Sequence, residues 1–231
     1  MGLDVIRIWG FNDGAGGLQT SPGVYNEAIF QKLDYAIDKA RQCGIKLIIP
    51  FVNNWDDYGG MNQYVNWRWP GGGHSHDGFY TDSTIKGWYK SHISALVNRV
   101  NTCNGIVYKD DPTIMAWELA NEPRAGSSTD LKNWIYEMAA YVKAGASDNN
   151  HLLTTGLEGH PWETVSTWKQ HHNTPYIDFT TVHSWPDIWG PWLGKYDKEY
   201  YMSLIANHAT ASAELGKPCL LYTSPSPRDR Q

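Results

Sequence analysis

The stretch Trp117-Glu118-Leu119-Ala120-Asn121-Glu122-Pro123-Arg124 constrains this chain more than any other. It opens as an apolar run from Ile114 to Trp117 and closes on an amide, an acid, a proline and a base. The apolar half suits a buried strand of a parallel sheet. Pro123 then ends the ladder, because it has no N–H to donate. In barrels of alternating strands and helices, reactive groups gather at the C-terminal ends of strands. Glu122 is therefore a candidate catalytic carboxyl group. Position alone leaves open whether it is that or a solvated acid at a strand end.

Other segments extend the same pattern. Val5 to Trp9 alternates like a strand, with Arg7 among apolar neighbours. Ile29, Leu33, Ile37 and Ala40 recur at helical spacing behind Asn26, with Lys39 and Arg41 in the last turn and Gly44 as the stop. Ile45 to Val52 reads as the next strand. Residues 53–81 read as a long loop carrying Trp55, Tyr58, Tyr64, Trp67, Trp69, Phe79 and Tyr80. A second helix is marked by Ile85, Tyr89, Ile93, Leu96 and Val100. A third is marked by Leu131, Ile135, Met138 and Val142, with Ser128 or Thr129 as its cap. Strands follow at Leu152 to Thr155 and Phe179 to His183. A helix through Tyr201, Leu204, Ile205 and His208 leads to a last strand beginning at Cys219. Polar loops follow strands throughout, which points to a parallel sheet with one functional face. The fold class is α/β. A closed eight-stranded barrel typically takes about 250 residues, so loops this long in 231 residues imply an incomplete one.

Composition narrows the chemistry. A net charge of -5 without a basic run argues against nucleic acid and anionic membrane surfaces as partners. No run is long and apolar enough for a membrane span, and Met1 to Arg7 does not read as a signal peptide. The 12 Trp and 14 Tyr against 5 Phe favour a wet groove that takes flat apolar faces, such as those of sugar rings. The alternative is a core rich in Trp. Three widely spaced cysteines give no disulfide framework and no metal pattern. His74-Ser75-His76-Asp77 and His171-His172 read as ordinary loop residues, so no metal and no cofactor are expected. The glycines at 14–17 lack the Lys-Ser/Thr ending of a phosphate loop, and no Gly-x-Ser-x-Gly occurs.

If the strand ends share a face, Arg7, Asn53, Asn121, Glu122 and His183 converge there. A carboxyl group in a Trp-rich groove suits glycoside hydrolysis. Glu122 would protonate the leaving oxygen, its pKa raised by apolar surroundings. Asn121 would donate to the sugar 2-OH. Arg7 would keep a neighbouring carboxylate ionised, or pair internally with Glu118, and the two roles are compatible. His183 would orient one of these groups.

At these residues the chain resembles glycoside hydrolase family 5, whose eight-stranded barrels end their fourth strand in Asn-Glu-Pro. The stretches Arg7-Ile8-Trp9-Gly10-Phe11-Asn12-Asp13, Leu18-Gln19-Thr20-Ser21-Pro22-Gly23-Val24-Tyr25 and Phe51-Val52-Asn53-Asn54-Trp55 are similar to the endo-β-1,4-mannanases of that family. So are Thr84-Ile85-Lys86-Gly87-Trp88-Tyr89 and Tyr108-Lys109-Asp110-Asp111-Pro112-Thr113-Ile114. The resemblance runs from about residue 2 to residue 221. It implies a (β/α)8 barrel represented by about strands 2 to 7. It also implies retaining hydrolysis of internal bonds in mannan, galactomannan or glucomannan, by a monomeric extracellular enzyme. It carries acid/base to Glu122, supporting roles to Arg7, Asn121 and His183, and substrate contacts to Trp9, Asn53, Trp55, Trp185 and Trp189. A β-1,4-glucanase of the same family and a non-catalytic glycan-binding protein are the alternatives.

Three departures accompany the resemblance. The family's first strand and helix would precede Leu3. Where the family often has Tyr, two residues after the His183 position, this chain has Trp185, which has no hydroxyl. Where the family's nucleophilic Glu would follow the last strand, the chain continues Tyr222-Thr223-Ser224-Pro225-Ser226-Pro227-Arg228-Asp229-Arg230-Gln231, without a glutamate. The expectation is a catalytic domain over residues 1–221, a foreign tail over residues 222–231, and a chain that lacks its nucleophile and is inactive. Glu158 and Asp187 are the only substitutes in view.

Overall fold

A computed structural model describes residues 2–146, 148–194 and 198–223, without the side chains of Asp187, Trp192, Leu193 and Thr223. Strands β1 (Val5–Arg7), β4 (Lys46–Pro50), β5 (Ile114–Glu118) and β6 (Leu152–Thr154) form one parallel sheet in that order. Strands β7 (Thr180–Ser184) and β8 (Cys219–Thr223) form a second parallel pair. The two pieces are stitched together beside β6. Asp178 N–H donates to Leu153 O at 2.8 Å, Thr154 Oγ1 to Phe179 O at 2.9 Å, and His183 N–H to Glu158 O at 2.8 Å. The strands thus follow one another in space as in the chain, in an open arc of a (β/α) barrel. A small hairpin, β2 (Gln19–Ser21) and β3 (Val24–Tyr25), lies after β1.

The strands at the centre are buried on both faces, which explains why Leu47, Ile48 and Ile49 form an unbroken apolar run rather than an alternating one. Ile48, Ala116 and Phe179 fill the concave side. The convex side packs against the helices. Helix α1 (Glu27–Gln42) starts at Asn26, whose side chain accepts from Ala28 N–H at 3.1 Å. Its inward face is turned from the expected one. Phe30, Asp34 and Ile37 are buried, while Ile29 and Leu33 are only half-buried. The cause is Asp34, fully buried, which accepts from Arg99 at 2.8 and 2.6 Å, Tyr108 at 2.5 Å and Thr102 at 2.8 Å. Helix α4 (Ser83–Val97) stops short of the expected Val100, which is exposed, and helix α5 (Ser128–Ala140) gives way to a wider π-helical turn (Tyr141–Gly145) before the expected Val142; the cap of α5 is Ser127 rather than Ser128 or Thr129.

The segment expected to be a long loop contains α2 (Gly60–Arg68) and α3 (Gly78–Thr81). Its aromatics divide. Tyr64, Phe79 and Tyr80 are buried, and with Tyr89 and Trp134 they build an edge-to-face cluster, whereas Trp55 and Tyr58 are exposed. Part of the aromatic excess is therefore core. Helices α6 (Val165–His172) and α7 (Pro186–Leu193) occupy stretches that read as polar loop, and α8 (Lys198–Glu214) precedes β8. Strand β8 runs through the expected boundary at residue 222, since Tyr222 and Thr223 pair with His183 and Ser184. No helix among the described residues is long and apolar enough to cross a membrane.

The Asp34 cluster ties α1 to the segment after α4. Replacing Asp34 with Ala leaves Arg99 with the exposed Glu27 as its remaining carboxylate partner and takes the acceptor from the Tyr108 hydroxyl. Urea unfolding of Asp34→Ala is expected to show a loss of about 3–5 kcal/mol; a change below 1 kcal/mol would contradict this role.

Candidate active site

The C-terminal ends of the strands open into one cavity of about 610 Å³. Arg7, at the end of β1, spans β4 to reach β5. Its Nε donates to Glu118 Oε2 at 3.0 Å, and its Nη2 contacts Glu118 Oε1 and donates to Asn121 Oδ1 at 2.8 Å. Trp9 and Tyr222 flank its guanidinium, with ring centroids at 4.9 and 5.1 Å. Asn121 Nδ2 donates to Asn53 Oδ1 at 2.8 Å, and the backbones of Asn53 and Asn121 form a parallel bridge just past β4 and β5. The register of these two strands therefore continues for one more contact before the chain turns.

That turn is made by Glu122, whose φ is 51°. A non-glycine residue rarely holds this left-handed conformation, and such strain collects at functional sites. Glu122 N–H donates to Gly156 O at 3.0 Å, which fixes the turn from the side of β6. Gly156 itself has a φ of 78°, and a Cβ there would lie 1.8 Å from Ala120 O. No other residue type allows β6 to leave the sheet this close to the turn.

The Glu122 carboxylate faces two donors. His183 Nδ1 lies 2.6 Å from Oε1, and Trp55 Nε1 donates to Oε2 at 2.7 Å. Burial works against its charge, but the hydrogen bond and charge of His183, the Trp55 hydrogen bond and the charge of Arg7 outweigh it. They lower the carboxyl to about 2. This corrects the expectation of a raised pKa, since the surroundings are apolar in area but polar at the two oxygens. The raised acid is Glu158, after β6. Burial first, then the negative charge of Glu122, push it up to about 7 against the pull of Arg124, with which it is ion-paired. Two carboxyl groups on one cavity are thus driven apart, as sites that separate proton donor from acceptor require.

Trp9, Trp55, Trp185 and Trp189 all reach the cavity wall, Trp189 while almost wholly buried. Asn53 does not reach it and acts through Asn121. His183 lies behind Glu122. Sequence reasoning missed Arg124, Trp162 and Tyr222 as wall residues. Arg124 stood next to the Asn-Glu-Pro motif and Glu158 stood after a strand, so both carried a usable signal. Trp162 and Tyr222 carried none. The paired histidines lie elsewhere: His74 stacks on Trp69 at 4.0 Å, and His76 Nε2 lies 3.2 Å from Asn54 O. The side chain of Asp187 lies outside the described residues.

Comparison with known proteins decides the family. Residues 13–229 match the model described as GH family 5 beta-mannosidase-like. The chain belongs to glycoside hydrolase family 5. Among its relatives in this family is mannan endo-1,4-beta-mannosidase 7 of Arabidopsis thaliana, 44% identical over 95% of this chain and 56% of that protein. Mannan endo-1,4-beta-mannosidase 1 of Oryza sativa is 43% identical over 95% of this chain and 56% of that one. The endo-1,4-beta-D-mannanase of Thermotoga petrophila superposes with a TM-score of 0.81 at 40% identity, covering 94% of this chain and 70% of that structure. The family 5 chain described here therefore spans a little over half the length of the plant relatives.

The two shifts act on stability in separate pH windows. Glu122 sits below its ordinary 4.5, so its contribution is present above that value and is lost as pH falls towards about 2. Glu158 sits above its ordinary 4.5, so its contribution is complete below that value and is lost as pH rises through about 7. Thermal melts from about pH 4.5 to about pH 8 are expected to show a loss of up to about 3 kcal/mol that Glu158→Gln does not show. Parallel pH profiles for the two proteins would contradict the assignment.

Proposed function

We propose that this chain is the catalytic-site portion of an endo-acting β-1,4-mannanase that works with retention, and that Glu122 is its acid/base. The observation that carries this reading is the Glu122 carboxylate, held by His183 and Trp55 at the floor of a cavity walled by tryptophan. The named activity of the plant and Thermotoga petrophila relatives supplies the substrate class.

Each side chain takes a definite part. Trp9, Trp55, Trp185 and Trp189 offer flat faces to pyranose rings. An amide nitrogen carries two hydrogens. Asn53 takes one from Asn121, and the second is free for the sugar 2-OH, a bond that strengthens in the transition state. Arg7 directs its Nε and Nη2 hydrogens to Glu118 and Asn121, so it acts by fixing Asn121 and by keeping Glu122 charged. His183 orients Glu122.

Retention needs a second carboxylate about 5–5.5 Å from the first. Its negative charge would raise the pKa of Glu122 and let it hold the proton it must give to the leaving oxygen. Among the described cavity residues the other carboxyl group is Glu158, which contacts Arg124 and holds its proton until near neutrality. On this reading the described residues supply the acid/base and the sugar-binding wall without a nucleophile, and binding of mannan without cleavage is the expected behaviour. A polymeric substrate is met outside the cell, so an extracellular place goes with this reading.

Calorimetry with mannohexaose and cellohexaose tests the substrate, and reducing-end release from mannan tests the chemistry. Preference for mannohexaose by about tenfold or more, with no release, is expected. A chimera that takes its C-terminal strands from the Thermotoga petrophila enzyme is expected to release oligosaccharides, and to lose at least about 10³-fold on Glu122→Gln. Preference for cellohexaose would point to a glucanase. A chimera that binds but never cuts would point to a glycan-binding protein.

A further inference from the structure

Three consecutive side chains of the loop after β4 meet the turn that carries Glu122. Asn53 Oδ1 accepts from Asn121 Nδ2 at 2.8 Å, and Trp55 Nε1 donates to Glu122 Oε2 at 2.7 Å. Asn54 stands between them and is buried. Its Oδ1 accepts from Arg124 N–H at 3.0 Å and from the Tyr80 hydroxyl at 3.4 Å. A backbone N–H can only donate, so this contact fixes which end of the Asn54 amide faces Arg124. The backbone of Asn54 is anchored as well. Its N–H donates to Asn121 O at 3.0 Å, and its carbonyl oxygen lies 3.2 Å from His76 Nε2.

What this anchorage does follows from the turn. Glu122 holds a left-handed conformation with a φ of 51°, and a non-glycine residue keeps such a conformation only where its surroundings over-determine it. The amides on either side of it do so. On the leading side, Glu122 N–H donates to Gly156 O at 3.0 Å. On the trailing side, Pro123 has no N–H, so the first amide able to hold the chain is that of Arg124. Its acceptor is Asn54 Oδ1. The turn is therefore pinned from the β6 side by a backbone carbonyl and from the β4 side by a side chain. The next bond of this kind, from Gly126 N–H to Asp77 Oδ2 at 2.9 Å, comes after Arg124 and outside the turn. Trp55 directly follows Asn54 in the chain, so the same contact sets the indole against the carboxylate it donates to.

We propose that Asn54 is a positioning residue for Glu122: by holding the Arg124 amide it keeps the left-handed turn and places the Glu122 carboxylate between Trp55 and His183. The inference rests on the reading of Glu122 as the acid/base. Without the Asn54 acceptor the Arg124 amide is released, the turn relaxes, and the two carboxylate oxygens no longer meet both donors at once.

Asn54→Leu removes the acceptor and keeps a side chain of similar size. Carboxyl NMR titration of the whole chain carrying it is expected to move the Glu122 midpoint from about 2 towards the ordinary 4.5, a rise of at least about tenfold in proton affinity. Asp77→Ala, which breaks the bond to Gly126, is expected to leave that midpoint in place. A Glu122 midpoint unmoved by Asn54→Leu, or moved as far by Asp77→Ala, overturns the role. Hydrogen exchange on the unmodified chain tests the bond without a substitution, and so stands even if Asn54→Leu fails to fold. The Arg124 amide is expected to exchange at least about 100-fold more slowly than in an unstructured chain; exchange at the unstructured rate overturns the role. The acid/base reading fails by a different result, cleavage by the chimera that survives Glu122→Gln.

Discussion

The structure depends on one cation placed across three strands. Arg7 leaves β1, crosses the end of β4 and meets Glu118 on β5. Both side chains are nearly inaccessible to solvent. A buried pair of this kind gains little net stability, yet removing either partner costs several kcal/mol because it leaves an unpaired charge. Its use here is registration. The same guanidinium fixes Asn121, Asn121 is tied to Asn53, and the next residue is Glu122 in its left-handed turn. The site is an extension of the strand register rather than a decoration on loops.

From that placement the electrostatics follow. Glu122 receives donors from two distant elements, the end of β7 and the loop after β4. Glu158 receives Arg124, from the loop after β5, and the repulsion of Glu122. One carboxyl group stays charged at almost any pH, while the other stays protonated until near neutrality. Under the proposed acid/base role, a further negative charge beside Glu122 would raise its carboxyl, in the direction in which Glu122 raises Glu158.

The strands were legible because a parallel sheet buried on both faces needs short unbroken apolar runs, and Ile45 to Val52 and Ile114 to Trp117 are such runs. Helices α4 and α5 were legible by period and α1 by its caps. Helices α2, α6 and α7 were not, because glycine, tryptophan and polar residues dominate them and mask any apolar period. The rotation of α1 was hidden because an aspartate takes a core position, which only its partners Arg99 and Tyr108 explain. Arg7, Asn121 and Glu122 were readable at the strand ends. The pKa of Glu122 was not, since a sequence shows that a residue has apolar neighbours but not that Trp55 turns its N–H towards the carboxylate. The roles of Trp162 and Tyr222 were hidden for a related reason, because only the curvature of the arc brings them to the cavity.

Glu122 is a carboxylate held charged by His183, Trp55 and Arg7, and Glu158 is its protonated neighbour. Carbon-detected NMR titration of the glutamate side-chain carboxyls, assigned with Glu122→Gln and Glu158→Gln, measures this directly. The Glu122 midpoint is expected near 2 and the Glu158 midpoint near 7. Midpoints for both near the ordinary 4.5, or a Glu122 midpoint above that of Glu158, would contradict it.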